Sequence, residues 1–285
     1  GLDLVFGLCH DYPAPGARTP ASRLRYLRAK TTSVDMFYVH TVGRTLHQVQ
    51  QEARLQRAIG TYVDQAGLRA TARSPLEVRA AIQAFVDSEP ALAWARLPAP
   101  PPELSFRVTE AIHMIGVPLL LAALAPVLIP SALAWLIALR VHELTDPAPN
   151  IVLDPARLRQ LRELEDVVVQ NPISTIAPIK PSSFWYLTAT IFYGIANYAS
   201  RHVFNSGDLA GLKTVHFARF MRLDDKRQVL FTSYYDGSLE AYMNDFIDQV
   251  GWVLNGMFGN QVGYPKTRWL FAAGAANESG FKAFL

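Results

Sequence analysis

At 285 residues the chain is long enough for one large domain or two medium ones, each burying a core of its own. Half of the residues are apolar and only 18% are charged, so part of the apolar surface is expected to face lipid or a partner rather than water. The net charge of +3 comes from scattered arginines apart from one cluster, Arg23, Arg25, Arg28 and Lys30, and no basic stripe with interleaved aromatics follows it, which argues against a nucleic-acid surface.

That cluster reads as a solvated helix face or a contact for anionic headgroups. The single cysteine, Cys9, excludes a disulfide within the chain and any cysteine-based zinc or iron–sulfur site. A start at Gly1 and a finish in the amphipathic FKAFL leave a removed targeting segment open.

In chain order, residues 1–20 are rich in Pro, Gly and Ala and predict an extended arm, followed by a basic helix over Ser22–Lys30. The β-branched and aromatic run Val34–Val42 predicts a strand. Thr45–Val63 has the spacing of a surface helix, and Ser74-Pro75 is a helix start, with a capping hydroxyl before a first-turn proline, for a helix ending near Ser88. The run PAPPP at 98–102 closes a mainly helical N-terminal region, 1–102.

From Met114 to Leu139 there is no charged residue, a run of about 39 Å at 1.5 Å per residue, against a bilayer core of about 30 Å. Pro118, Pro126 and Pro130 interrupt it. Residues 103–146 therefore predict either a hairpin turning near Leu128 within one leaflet or a single kinked span. A buried helical pair in a soluble core has the same composition.

The third region, 147–285, has a legible order of elements. Asp166–Ile179 predicts a strand, Ser183–Val203 an aromatic-rich helix, and Thr214–Leu223 and Gln228–Tyr235 two strands joined by the turn Asp224–Arg227. Ser238–Leu254 is an amphipathic helix, and Arg268–Ala272 can supply a last strand. Strand, helix, strand, strand, helix, strand is the ferredoxin-like order, which makes the chain an α+β protein. Such sheets commonly pair within one chain or between two, so a homo-oligomer is among the expectations. Phe184, Trp185, Tyr186, Phe192, Tyr193 and Tyr198 suit either the core or a membrane boundary.

Several residues are candidates for chemistry. If the apolar segment turns back, His113 and His142 lie level on its two arms, and with Glu110, spaced (i, i+3) from His113, they form a candidate metal site. In a straight span that site does not form. His216, in the strand TVHFARF, shares a period-two face with Ala218, Phe220 and Arg222, and can serve as an acid–base group or an iron ligand. In Ser233–Ser238, Asp236 or Ser238 can cap the helix that follows, with Gly237 allowing the turn. No phosphate loop, GxSxG elbow or paired-histidine zinc helix is present, which argues against nucleotide-binding and hydrolase readings.

The run KTVHFARFMRLDDKRQVLFTSYYDGSLEAYMNDFID, with VVVQNPISTIAPIKP before it, resembles an uncharacterised bacterial family with an HFAR strand and a YDGS turn, over residues 165–275. That family is loosely similar to the dimeric α/β-barrel proteins, which include the dye-decolorising haem peroxidases. Those peroxidases carry a GxxDG loop over the haem, with an aspartate and a distal arginine. Here the corresponding run is Ser233-Tyr234-Tyr235-Asp236-Gly237, without the first glycine. The resemblance implies a haem, with Asp236 as proton shuttle, Arg219 or Arg222 as distal arginine, and His216 and Tyr234 as cofactor contacts. The expected functions are a membrane-bound, peroxidase-like redox protein or a non-catalytic subunit docking on a larger membrane complex.

Overall fold

The computed structural model describes residues 2–68, 74–98, 101–147, 154–164, 170–223 and 227–285. Residues 224–226 of the expected turn Asp224–Arg227, residues 166–169 at the start of the expected strand and parts of the two proline-rich joints lie outside these residues. The structure combines helices with an antiparallel four-stranded sheet and one long apolar helix. It divides into two compact units, residues 1–40 with 129–285, and residues 41–128.

In the first unit, the N-terminal residues are not extended throughout. Helix α1 (Leu2–Phe6) and helix α2 (Pro20–Lys30) are tied by Asp3, which receives Arg23 and the Tyr12 hydroxyl. The Arg23 hydrogen bond, with help from Tyr12, lowers the Asp3 carboxyl to about 2. Strand β1 (Met36–Val39) follows. Next in this unit come α7 (Pro155–Leu164), β2 (Gln170–Pro178), α8 (Ser183–His202), β3 (Val215–Leu223), β4 (Gln228–Asp236) and α9 (Leu239–Phe258).

The sheet order is β1-β3-β4-β2, every neighbouring pair antiparallel. β4 thus lies between β2 and β3. The expected last strand does not join this sheet: β5 (Thr267–Arg268) and β6 (Ala272–Ala273) form a separate two-stranded hairpin, and β1 takes the edge beside β3. Two residues of ladder cannot cover a sheet edge, whereas β1 pairs four residues with β3.

One face of the sheet is the core. Met36, Tyr38, Ala218, Phe220, Val229, Phe231 and Tyr235 pack with Trp185, Ala189 and Tyr193 of α8 and with Tyr242, Met243, Phe246, Val250, Leu254 and Phe258 of α9. The (i, i+4) spacing of Trp185, Ala189 and Tyr193 is the reason α8 buries that side. Gly256 lets α8 and α9 approach, since a Cβ there would lie 2.6 Å from the Phe192 ring. Helix α10 (Glu278–Phe284) closes the core with Phe281 and Phe284.

The second unit holds α3 (Leu46–Gln65) and α4 (Pro75–Ser88), each begun by a capping box, Thr45 with Gln48 and Ser74 with Glu77. Tyr62 and Phe85 stack at 4.3 Å between the two helices. Ser74→Ala removes the hydroxyl that accepts the Glu77 amide, and is expected to destabilise this unit by about 1 kcal/mol in a urea or thermal melt.

The apolar segment is one continuous helical run, Leu104–Thr145: α5 (Leu104–Ala111), a π turn (Ile112–Gly116) and α6 (Val117–Thr145). The expected turn at Pro126–Pro130 does not form. Each proline deletes one amide donor without forcing a reversal, and the wider π turn lies just before Pro118, where the helix must accommodate that ring. The most apolar part of the run has no buried residues.

Its C-terminal end is seated within the first unit. Leu139 is fully buried, Trp135 donates its Nε1 hydrogen to Thr188 at 3.0 Å, and His142 stacks on Phe184 at 4.4 Å. Glu143 is buried and accepts hydrogen bonds from the Thr267 hydroxyl and from the amides of Trp269 and Leu270. A chain of rings runs outward from this seat, Trp135 to Phe192 to Phe271 to Trp252, at centroid distances of 6.1, 6.2 and 6.4 Å. Arg140 lies 5.7 Å over the Trp269 ring.

Candidate functional site

The second face of the sheet is open. The register sets two rows across it: Val39, Phe217, Tyr234 and Pro172, then Phe37, Arg219, Thr232 and Ser174. A third row, Met221, Leu230 and Ile176, completes the face. Period-two alternation places these residues opposite the core. Phe217, Tyr234 and Ile176 remain 39%, 40% and 58% exposed, values far above those of their neighbours on the core face.

At one end of this face lies a histidine–carboxylate pair. The ladder between β3 and β4 shifts between Val215 and Phe217, and His216 is the additional residue. Its Nε2 lies 2.8 Å from Asp236 Oδ2. An ionised carboxylate only accepts, so Nε2 carries the proton in this contact and Nδ1 is the basic nitrogen of that tautomer. The His40 ring is 5.6 Å from that of His216, and the His40 amide donates to the His216 carbonyl. Both side chains of the pair are partly exposed. No family model, curated protein or solved structure matches this chain.

The geometry assigns the turn residues. Ser238 caps α9, its hydroxyl accepting from the Ala241 amide at 3.2 Å, while Asp236 is left for His216. Gly237 has φ +84°, the left-handed region, and its carbonyl accepts from Asn171 Nδ2.

The sequence candidates separate by face. His216, Asp236, Arg219 and Tyr234 belong to the open side, but Arg222 points to α8. There its guanidinium is bound by Asp35, donates to the Thr190 hydroxyl at 2.7 Å, and lies over the Tyr186 ring at 5.1 Å. The alternation expected to align His216 with Ala218, Phe220 and Arg222 is broken by the bulge, which turns His216 to the other side. Arg222 is thus a structural ion pair.

His113, His142 and Glu110 do not assemble. The uninterrupted helix leaves the two histidines near opposite ends of one run rather than level on two arms. His142 is stacked in the seat of α6, and His113 Nδ1 contacts the Thr109 carbonyl one turn earlier. Among the described residues no group of three or more His, Cys, Asp or Glu is placed to hold a metal ion.

Of the residues nominated for a haem, His216, Asp236, Arg219 and Tyr234 lie on the open face. The His216 nitrogen pointing away from its own backbone, Nε2, is taken by Asp236, and Arg222 lies across the sheet.

Three residues of this face carry little signal in the sequence. Thr232 and Ser174 are visible only as the alternate positions of QVLFTSYYD and QNPISTIAP. His40 meets His216 across 176 positions of chain, a contact that no local pattern encodes.

Proposed function

We propose that this protein is a non-catalytic, membrane-anchored α+β subunit, held by a single apolar helix and presenting its open sheet face outside the hydrocarbon. The observation that carries this reading is the Leu104–Thr145 run, uncharged from Met114 to Leu139 and bare of covering side chains over its most apolar part. Apolar residues point to all sides of α6: Leu120, Leu121, Val127, Ile129, Leu133 and Ile137 are between 52% and 68% exposed. A helix apolar all round fits lipid as solvent, because water would face that surface at a large hydrophobic cost.

The seat of α6 supports the same reading. Trp252, Trp269 and Phe271 are exposed around the point where the helix leaves the folded unit, and Arg140 stacks on Trp269. Exposed tryptophans beside an arginine suit the headgroup layer, which accepts a ring and a charge together. The ferredoxin-like arrangement of β2, α8, β3 and β4 serves in this reading as the scaffold that holds the open face.

Membrane fractionation tests the proposal. The protein is expected in the pellet after alkaline carbonate and high salt, to be released only by detergent, and to migrate with a larger assembly on a native gel. Recovery as a soluble monomer without detergent overturns it.

A second reading, acid–base or redox chemistry at the open face, is favoured by the His216–Asp236 contact, since a carboxylate that holds one imidazole nitrogen fixes the ring's orientation and leaves the other nitrogen to face a substrate. An optical spectrum of protein purified from its native membrane discriminates the redox form. A Soret band that His216→Ala abolishes would replace the first reading with this one.

A further inference from the structure

We infer that the open sheet face is a binding site for an anionic group carried on an apolar body, a carboxylate or phosphate with a hydrocarbon tail, seated on Arg219 and Thr232. These two residues are register partners on β3 and β4, so their side chains stand side by side on the open face. Arg219 Nε and Thr232 Oγ1 are both shielded from water, and neither has a hydrogen-bond partner. Among the described residues the Arg219 guanidinium makes one interaction, stacking 5.4 Å over the Phe37 ring. A shielded guanidinium N–H without an acceptor is costly, and an oxygen anion arriving from outside removes the cost with a charge-assisted hydrogen bond.

The surroundings define the rest of the ligand. The polar row Arg219, Thr232 and Ser174 lies between an apolar row containing Phe217 and Tyr234 and another of Met221, Leu230 and Ile176. An inorganic anion would satisfy Arg219 but leave these rings and aliphatic chains in water. A tail laid along either row covers them. A second copy of the chain is the weaker occupant: two-fold pairing centred on this row sets Arg219 against Arg219, and the nearby carboxylate of Asp236 is engaged by His216.

The inference does not depend on the membrane reading, and its test uses the full chain in an uncharged detergent. Isothermal titration with octanoate is expected to show binding, with 1-octanol and acetate each weaker by about 10-fold or more, since one lacks the charge and the other the tail. Arg219→Gln is expected to weaken octanoate by about 10-fold to 100-fold, and Thr232→Val, which keeps shape, by about 3-fold to 10-fold, both without change in the thermal melt. Mass spectrometry of lipid carried through purification separates the sources. An anionic lipid lost from the Arg219→Gln protein identifies a headgroup, whereas octanoate binding to protein free of such lipid identifies a free carboxylate. Equal octanoate affinity in the wild type and Arg219→Gln overturns the inference, as does equal affinity for octanoate and 1-octanol. A dimer in light scattering with no octanoate bound assigns the face to a second copy and also overturns it.

Discussion

Glu143→Leu is expected to destabilise the first unit by about 3–5 kcal/mol, the cost of stripping a buried carboxylate from donors that cannot reach water. The Glu143 side chain is 2% exposed and holds the Thr267 hydroxyl and the Leu270 amide at 2.8 Å, the Trp269 amide at 2.9 Å and Arg140 at 3.1 Å. Leucine fills similar space but accepts nothing. Trp269 and Leu270 also sit at φ +57° and +60°, a conformation that costs non-glycine residues about 1–3 kcal/mol each and persists because the carboxylate holds both amides. The clamp therefore fastens the end of the apolar helix to the β5–β6 hairpin. Thr267→Val, which deletes one donor and leaves the amides bonded, is expected to cost about 1 kcal/mol. Thermal unfolding of detergent-purified protein measures both, and a loss below about 1 kcal/mol for Glu143→Leu would show that the clamp carries no weight.

Placing two charges in the middle of the long helix, Leu121→Arg with Val127→Arg, is expected to remove the protein from the carbonate-resistant membrane pellet. Each arginine near the centre of a membrane helix costs about 2.5–3.5 kcal/mol on insertion, so the pair costs roughly 5–7 kcal/mol. Both positions are exposed, 52% and 66%, so the substitutions remove little packing inside the protein. That separates this result from misfolding: the thermal melt of the first unit in detergent is expected to be unchanged. Retention of the double variant in the carbonate pellet would show that lipid is not the solvent of this helix. The three prolines are consistent with that solvent, since they are tolerated in membrane helices better than in soluble ones.

The His216–Asp236 contact and the Arg219–Thr232 row lie on one sheet face, and both depend on pairing between β3 and β4. In the sequence the two strands appear as separate runs, HFAR and TSYYD, which suggest residues but not their neighbours. His216 shows the difficulty clearly. Strict alternation places it with Arg222, and the bulge at Val215–Phe217 reverses that assignment. A single extra residue turns a side chain to the opposite face, and nothing in the local composition of TVHFARF marks the bulge.

What the amino-acid sequence determined by itself was whatever rests on short-range physics. The capping hydroxyls Ser74 and Ser238, the apolar stripe of α9, the alternation of β4 and of β3 beyond its bulge, and the uncharged length from Met114 to Leu139 all follow from residues within a few turns of one another. Tertiary structure decided what depends on partners far along the chain. It paired β1 with β3, left the β5–β6 hairpin out of the main sheet, locked Arg222 on Asp35 across 187 positions and joined Glu143 to the hairpin across more than a hundred. It also carried the apolar helix straight through Pro126 and Pro130, because a proline removes a hydrogen bond locally but only the surrounding packing or solvent decides whether the chain turns there.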